Sequence, residues 1–375
     1  MKVALLGPFA GTHSGYSRVV ECMTPLIAKY VDTTLYLPID SPKFKNYVDN
    51  FNVSYILPPI YRHPLHFKSC KYLLNTLKCI RKEGFDVIQS LIAWPLSFVG
   101  ALAQVLTGSS LFVGAHGTDV FEPLFNWKTR HSLYLSLKRA TKVLAISSYT
   151  KNELVHNLNL KNVIVQPLDG VDYEFFSRKR DISDLEKRWR PGKVLLTVGK
   201  LKERKGIDVS IKAFKIVKEN IPDAKYIIIG GGREDNYRSL VKELKLNDVY
   251  FIGEIKESEL VKYYQLCDVF VLTPRRYHGD VEGFGLVYLE AGAAGKPVVA
   301  SNSGGVSDVV KHMVNGILVS ENDPYATAQA IIQLLKDDNL AAELGNNGKK
   351  VAKLFCWENT VKSLIDVWQK TLRHE

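Results

Sequence analysis

Apolar and polar positions follow two rhythms along the chain. Short runs rich in β-branched residues are separated by longer stretches in which apolar positions recur with helical spacing. The runs predict strands in a first half at residues 3–7, 33–37, 87–91, 111–114 and 143–147, and in a second half at 194–198, 226–230, 249–252, 269–272 and 297–300. Helical patterns lie between them, as at 206–219, 238–244 and 258–266. This alternation is typical of an α/β protein whose parallel sheets are covered on both faces.

The chain has 375 residues, which at roughly 150 residues per domain predicts two domains. A polar segment at 177–193, ending in Pro191-Gly192, predicts an exposed linker or hinge between them. Amphipathic patterns at 326–335, 340–355 and 357–372 predict three helices near the end of the chain. Doubly wound domains bind ligands at the carboxyl ends of their strands, so we expect the site in a cleft between the two domains.

No Asp, Glu, Lys or Arg occurs between Asp86 and Asp119, a length that could cross a bilayer as a helix. Pro95 and the turn at 108–110 interrupt this stretch. A buried strand–helix–strand unit therefore explains the lack of charge better than a spanning helix.

Composition places the chain among ordinary globular proteins, with 46% hydrophobic and 24% charged residues, which excludes long disorder, collagen and coiled coil. Lys and Arg outnumber Asp and Glu by 50 to 39, and the net charge of +11 points to anionic partners. One concentration of this charge is a basic amphipathic pattern at 67–82. Such a helix can lie on anionic lipid, but a surface helix packed on its own sheet explains the pattern too, and we favour the latter.

The cysteines are five, scattered, and form no C-x-x-C pair. They predict small buried thiols in a reducing compartment rather than a disulfide framework or a zinc site. No D-x-D motif occurs, and we assign no metal ligand.

The segment Glu282-Gly283-Phe284-Gly285-Leu286-Val287-Tyr288-Leu289-Glu290 follows a predicted strand and enters a helix. Its glycines let backbone N–H groups approach a ligand, and a helix N-terminus favours negative charge. Glu282 and Glu290 suit hydroxyl groups of a sugar and a ribose, although a loop carboxylate and a helical surface carboxylate would give the same spacing. His116 ends an apolar strand directly before Gly117, which favours a site over the core.

This segment resembles the signature of glycosyltransferase family 4, the retaining nucleotide-sugar transferases of the two-domain GT-B fold. The resemblance extends in order over nearly the whole chain. Its further motifs are Gly7-Pro8 with Gly11 and Gly15, His116-Gly117-Thr118-Asp119, Gly170-Val171-Asp172, Val198-Gly199-Lys200-Leu201, Arg204-Lys205-Gly206, Gly230-Gly231-Gly232 and Gly304-Gly305-Val306-Ser307-Asp308. Each motif is weak by itself, whereas the ordered set is specific.

The resemblance implies two Rossmann-like domains facing across a cleft. Residues 1–175 would bind the acceptor, residues 190–355 would bind the nucleotide-sugar donor, and residues 356–375 would form a helix that crosses back to the first domain. It also implies metal-independent transfer of a sugar, with retention, from a donor such as a UDP- or GDP-sugar, and no cofactor.

The catalytic residues carried over by the resemblance are Glu282, His116, Lys205 and Arg204. His116 would contact the transferred sugar, and the cations would stabilise the departing diphosphate. The donor-binding set is Gly15, Lys200, Arg204, Lys205, Gly230, Phe284, Gly285, Leu286 and Glu290. The basic loop could also be a solvated surface, and Gly230–Gly232 a plain tight turn. Lys200, Asp308 and Asp169 depart from the usual Arg, Glu and Asn of the family. Asp169 and Asp172 fit a turn and a helix cap, and we leave both out of the site.

Two other classes of function remain open from the sequence. One is a GT-B sugar-nucleotide epimerase, and the other is a non-catalytic module that binds phosphorylated ligands. Aromatic residues are not interleaved with basic strands, so we expect no nucleic-acid partner. The resemblance implies a cytoplasmic protein, with peripheral contact to an anionic membrane left open. The base, the sugar, the acceptor, the linkage and the oligomeric state are not encoded in these motifs.

Overall fold

The computed structural model describes residues 1–10, 15–44, 51–59 and 66–373. The chain divides into two compact units. The first unit comprises Met1–Gly170 and Trp357–Glu375, and the second comprises Val171–Cys356. The second unit therefore begins at Val171 and not near the predicted residue 190, while the last helix belongs to the first unit.

Over its described residues, the first unit is built on a parallel sheet of seven strands in the order β3-β2-β1-β4-β5-β6-β7. Its strands are β1 (Lys2–Leu6), β2 (Asp32–Pro38), β3 (Asn52–Leu57), β4 (Val87–Ser90), β5 (Ser110–Ala115), β6 (Lys142–Ala145) and β7 (Val163–Val165). The central strands β1, β4 and β5 are almost wholly buried, as expected for a parallel sheet covered on both faces.

The helices of the first unit follow their strands in the alternation that the sequence predicts. They are α1 (Gly15–Arg18), which a π-helical turn (Val19–Met23) connects to α2 (Thr24–Ala28), then α3 (Phe67–Glu83), α4 (Leu96–Thr107), α5 (Thr118–Phe125), α6 (Trp127–Arg139), α7 (Ser148–Leu158) and finally α17 (Trp357–Leu372). Helix α17 buries Trp368 in the core of this unit, where its indole nitrogen donates to Gln89 over 3.0 Å.

The second unit repeats the plan with a parallel sheet of six strands in the order β10-β9-β8-β11-β12-β13. Its strands are β8 (Val194–Val198), β9 (Lys225–Ile229), β10 (Val249–Gly253), β11 (Val269–Leu272), β12 (Val298–Ser301) and β13 (Ile317–Val319). Its helices are α8 (Tyr173–Ser177), α9 (Ser183–Trp189), a 3₁₀ turn (Glu203–Lys205), α10 (Ile207–Asn220), α11 (Asp235–Glu243), α12 (Glu257–Leu266), α13 (Leu286–Ala293), α14 (Val306–Val309), α15 (Pro324–Lys336) and α16 (Asp338–Leu354).

The segment at 177–193 is not a linker between the units, because it lies wholly within the second unit. Many of its residues are exposed, as predicted, but Trp189 and Arg190 attach it to that unit. Trp189 is 2% exposed and its ring meets Tyr250 edge-on at 4.8 Å. Arg190 pairs with Asp268 at 2.9 Å. The polar sequence hid this packing, since the long side chains of Lys and Arg can cover apolar surface while their charges stay in water.

The uncharged stretch that begins after Asp86 is β4, α4 and β5, the buried strand–helix–strand unit that we predicted. Within the described residues, no helix combines the length and the hydropathy needed to span a bilayer. The cysteines are free thiols, but only Cys267 is buried, so the expectation of five buried thiols is wrong for the other four.

Candidate active site

The strand order of a doubly wound sheet indicates the edge at which a ligand would bind. In the second sheet the order reverses direction between the neighbours β8 and β11, and ligands bind at the carboxyl ends of strands at such a switch point. The loop after β8 carries Arg204 and Lys205, and the loop after β11 carries Glu282. Arg204, Lys205 and Glu282 thus converge on one edge of one sheet, within the second unit.

Arg204, Lys205 and Glu282 form a buried ion cluster. The Lys205 Nζ lies 2.5 Å from Glu282 Oε2, and Arg204 Nη1 donates to the same oxygen over 2.8 Å. Arg204 Nε lies 3.1 Å from the carboxylate of Asp280. Lys205 and Glu282 are 8% and 7% exposed, so the alternative interpretation of a solvated surface is wrong for Lys205, whereas Lys200 and Lys202 of the same loop are exposed.

The electrostatics of this cluster keep Glu282 ionised. Burial opposes ionisation of its carboxyl, but Lys205 and Arg204 outweigh burial and lower its pKa to about 2. Burial also works against the charge of Arg204, yet Glu282 and Asp280 raise the pKa of its guanidinium. At neutral pH two cations and two carboxylates therefore hold one another in fixed positions.

Two glycines of the predicted motifs have positive φ and lie tightly against neighbouring backbone, one of them against Glu282. Gly304 has φ +56°, and a Cβ there would lie 2.3 Å from the carbonyl oxygen of Glu282. The next residue, Gly305, donates its N–H to that oxygen over 2.9 Å. Gly230 has φ +147°, and a Cβ there would lie 2.0 Å from the carbonyl oxygen of Gly199. These glycines are required by loop packing, so the tight-turn interpretation of Gly230 needs no ligand.

Some residues of the segment 284–290 are buried in the core, and others form the start of α13. Phe284 is buried and its ring meets Phe355 at 5.5 Å, so its side chain belongs to the core. Gly285 caps α13 in the left-handed region, and Leu286 is the first helical residue. Glu290 is 3% exposed, and Tyr264 donates a hydrogen bond of 2.7 Å to its Oε2.

Lys200 differs from Lys205 in its exposure to solvent. Its side chain is exposed, at the beginning of the loop that leads to Arg204. Beyond the cluster, the second unit has a cavity of about 360 Å³, bounded in part by Arg204, Arg233 and Tyr237. Arg204 is thus the member of the cluster that borders open space of ligand size.

His116 lies in the first unit, directly after β5, and belongs to a second buried cluster. Its Nε2 is 2.8 Å from the carbonyl oxygen of Leu91, and its Nδ1 is 3.6 Å from Asp169 Oδ2. The Asp119 carboxylate accepts from the backbone N–H of His116 over 2.9 Å and from that of Ala93 over 2.7 Å. Burial works against the imidazolium, but Asp169 and Asp119 outweigh it and raise the pKa of His116 to about 9.

Sequence reasoning missed two carboxylates in these clusters. Asp169 does not cap a turn; it is 9% exposed and faces His116. Asp172, in contrast, is the predicted cap and accepts from the N–H of Phe175 over 3.0 Å. The carboxylate of Asp280, the other omission, lies against Arg204. The only signal for Asp280 was its position two residues before Glu282, which a single sequence does not distinguish from a polar loop.

The predicted residue Gly15 is the first residue of α1, while Gly11 lies outside the described residues. Tyr16 follows Gly15, and its ring meets that of His116 edge-on at 5.5 Å. In the described ranges no group of three His, Cys, Asp or Glu side chains is arranged to hold a metal ion.

The two units match two family models. Residues 17–175 match Glycosyltransferase Family 4, and residues 180–351 match Glycosyl transferases group 1. The division between these matches falls close to the start of the second unit at Val171.

Curated relatives cover most of the chain. The GDP-mannose-dependent alpha-(1-6)-phosphatidylinositol monomannoside mannosyltransferase of Mycobacterium tuberculosis is 30% identical over 302 residues, which is 77% of this chain and 77% of the relative. The N-acetyl-alpha-D-glucosaminyl L-malate synthase of Bacillus anthracis is 28% identical over 304 residues, or 79% of this chain and 77% of the relative.

A solved structure of Anabaena HepE in complex with UDP has the same fold. Its TM-score is 0.80 at 21% identity, over 99% of this chain and 100% of that one. The chain has two doubly wound units, the ordered motifs and a mycobacterial relative that is 30% identical over 77% of its length. It is therefore a GT-B glycosyltransferase that belongs to glycosyltransferase family 4.

Proposed function

We propose that the protein transfers a sugar, with retention and without a metal ion, from a nucleotide diphosphate-sugar bound by the second unit to a hydroxyl group of an acceptor. The observation that carries this proposal is the buried cluster of Lys205, Arg204 and Glu282 at the switch point of the second sheet. A site of this kind suits a reaction in which negative charge develops on a leaving group.

The charges of the cluster support the role of the two cations. A lysine ammonium has three N–H donors and an arginine guanidinium has five, so the bonds to Glu282 leave donors for phosphate oxygens. Because Glu282 stays ionised at neutral pH, it fixes both cations before a ligand arrives. Preorganised donors need little rearrangement when the sugar–phosphate bond breaks.

The proposed reaction uses no protein nucleophile. The oxygen of the acceptor hydroxyl bonds to the anomeric carbon as the bond from that carbon to the diphosphate oxygen breaks. The hydroxyl proton passes to a departing phosphate oxygen on the same face of the sugar. Glu282 suits an orienting role, since its Oε2 is shared by two cations and is a poor nucleophile in that state.

A panel of nucleotides tests donor binding. The name of the mycobacterial relative specifies GDP-mannose, and the HepE structure contains UDP. We expect UDP, GDP or ADP to raise the melting temperature of the wild-type protein by mass action, with one base preferred. If none of the three shifts it, the proposed donor class is wrong.

Lys205→Ala tests the role of the cluster in the chemistry. We expect turnover with the preferred donor to fall about 10²-fold or more, because one preorganised donor to the leaving group is lost. Lys215→Ala, on the exposed side of α10, is the matched control and is expected to retain normal turnover. Near-normal turnover of Lys205→Ala would remove the basis of the proposal.

Product identity separates transfer from epimerisation. The wild-type protein is incubated with the donor alone and then with a set of hydroxyl acceptors. Transfer predicts a glycosylated acceptor and a free nucleoside diphosphate. A changed sugar nucleotide formed without any acceptor would identify the epimerase instead.

We also propose peripheral contact of the first unit with anionic membrane. Helices α3, α4 and α6 contact one another in sequence and form one layer. This helix layer exposes Lys68, Lys71, Lys78, Arg81, Lys82, Lys128, Arg130, Lys138 and Arg139. Leu74 of α3 is 58% exposed, and Trp127 at the start of α6 and Phe125 at the end of α5 are 80% and 78% exposed. Cations with exposed aromatic rings suit the interface of a bilayer.

Vesicle sedimentation tests this contact. We expect the protein to pellet with vesicles of phosphatidylglycerol and phosphatidylcholine at low salt, and to pellet less with phosphatidylcholine alone or at high salt. The double variant Phe125→Ser/Trp127→Ser should bind less. Tyr325→Ser removes an aromatic ring that is 66% exposed on the second unit and should bind as the wild type does. Equal binding to neutral and anionic vesicles would contradict the charge argument.

A further inference from the structure

The ring of His116 is held between two acceptors. Its Nε2 is 2.8 Å from the carbonyl oxygen of Leu91, at the end of β4, and its Nδ1 is 3.6 Å from the carboxylate of Asp169, after β7. A neutral imidazole carries a proton on one nitrogen only. In either tautomer the other nitrogen would direct its lone pair at an oxygen that also carries lone pairs. Only the doubly protonated ring suits both contacts.

Asp169 is fixed in position by the last helix of the chain. Its backbone carbonyl accepts from the Thr360 hydroxyl of α17 over 3.3 Å. The next residue, Gly170, lies against Trp357, and a Cβ at Gly170 would lie 2.9 Å from the Trp357 ring. The carboxylate of Asp169 therefore reaches His116 from a backbone that two residues of α17 hold in place.

Among the residues that the structure describes, the other titratable groups shown against His116 are acidic or neutral. Asp119 of α5 accepts the backbone N–H of His116, and burial raises its own pKa. Tyr16 of α1 presents its ring edge, and burial, Asp119 and Asp169 raise the pKa of its hydroxyl, with a smaller effect of Glu122. None of these groups is a cation, so the surroundings favour a positive charge on the ring.

We propose that Asp169 is a positioning residue for the transfer reaction, which keeps His116 as an imidazolium with its Nε2 on the Leu91 carbonyl. His116 then acts as a fixed cation of the first unit and accepts no proton from the acceptor hydroxyl. The role in transfer rests on the proposed function, whereas the charge and the orientation of the ring do not.

The titration of His116 tests the proposal without any measurement of activity. The protein is labelled with ¹³Cε1-histidine, and the His116 signal is identified by its loss in His116→Gln. We expect this signal to remain that of an imidazolium through neutral pH and to titrate near pH 9. In Asp169→Asn the burial of the ring is no longer opposed by that carboxylate, so the titration should move down by about one to two pH units.

Asp172→Asn is the matched control. It makes the same chemical change three positions along the chain, where the carboxylate caps α8. It should leave the His116 signal where the wild type has it. If His116 titrates near its ordinary value of about 6.5 in the wild-type protein, or if Asp169→Asn leaves the titration unmoved, the proposal is overturned.

Activity then tests the role in transfer. For the wild-type protein we expect kcat/KM to fall above about pH 9, and for Asp169→Asn we expect that fall to begin at lower pH, in step with the shifted signal. A fall that does not follow the His116 titration would limit Asp169 to a structural role. Failure of the proposed function itself would give no transfer at any pH, while the titration result would stand.

Discussion

Each unit holds a buried cluster of opposite charges at the carboxyl edge of its parallel sheet, and the two clusters respond to pH in opposite ways. In the second unit, Lys205 and Arg204 lower the pKa of Glu282 to about 2. In the first unit, Asp169 is the main group that raises the pKa of His116, to about 9. The first effect protects a carboxylate in acid, and the second protects an imidazolium in alkali.

The difference depends on whether the anion or the cation of each cluster changes its charge within the accessible pH range. Lys and Arg keep their charge over the whole working range, so only the carboxylate of the second cluster changes state, and it does so in acid. In the first cluster the cation itself is a histidine, which has the lowest intrinsic pKa of the protein cations. If transfer needs both charges, its rate should fall in acid when Glu282 is protonated and in alkali when His116 loses its proton.

Removal of Glu282 gives the largest effect that we expect. Glu282→Ala leaves Lys205 and Arg204 buried without their shared partner, which costs about 3–5 kcal/mol of unfolding free energy. Urea denaturation measures this loss, and transfer and donor hydrolysis measured on the folded fraction should both fall. A variant as stable as the wild type would show that the cluster is not the buried unit described above.

The pH dependence of stability separates the two clusters. The folded pKa of His116 is raised above its unfolded value of about 6.5, so its contribution is complete below that value and is lost as pH rises through about 9. The folded pKa of Glu282 is lowered, so its contribution is complete above its unfolded value and is lost as pH falls through about 2. Urea midpoints of His116→Gln and the wild type should therefore converge above pH 9 and differ most near pH 6.

Asp119→Ala tests a carboxylate that stabilises its cluster through hydrogen bonds to backbone N–H groups rather than through direct contact with a cation. The change leaves the buried N–H groups of His116 and Ala93 without their acceptor. One such group costs about 1–3 kcal/mol, and thermal unfolding measures the total. Asp119→Asn keeps one acceptor oxygen and should recover part of the loss; equal losses in both variants would indicate that charge alone matters.

Asp280→Asn should have the smallest effect. Its carboxylate is 40% exposed and pairs with Arg204 at the rim of the cluster, so solvent screens the interaction. We expect a loss of no more than about 1 kcal/mol in urea denaturation. A loss as large as that of Glu282→Ala would mean that Asp280 is an equal member of the cluster.

The fold could be predicted from the sequence where strands are buried on both sides. Residues 194–198 and 269–272 are β8 and β11 with the predicted bounds. The missed strands β3, β7 and β13 are all at sheet edges, and β7 and β13 are only three residues long. Three residues are too few to show an alternation of period two, whereas the five-residue β10, which is also at a sheet edge, was predicted at 249–252.

The sequence by itself determined the two α/β units, the resemblance to glycosyltransferase family 4, and the placement of Lys205, Arg204, Glu282 and His116 at strand ends, because these depend on local periodicity and ordered motifs. Only the tertiary structure decided which charges meet. Asp169 reaches His116 because β7 lies two strands from β5 in the sheet, and Glu282 reaches Lys205 because β11 lies beside β8. Strand order is set by the packing of helices on both faces of a sheet, and no spacing along the chain records it.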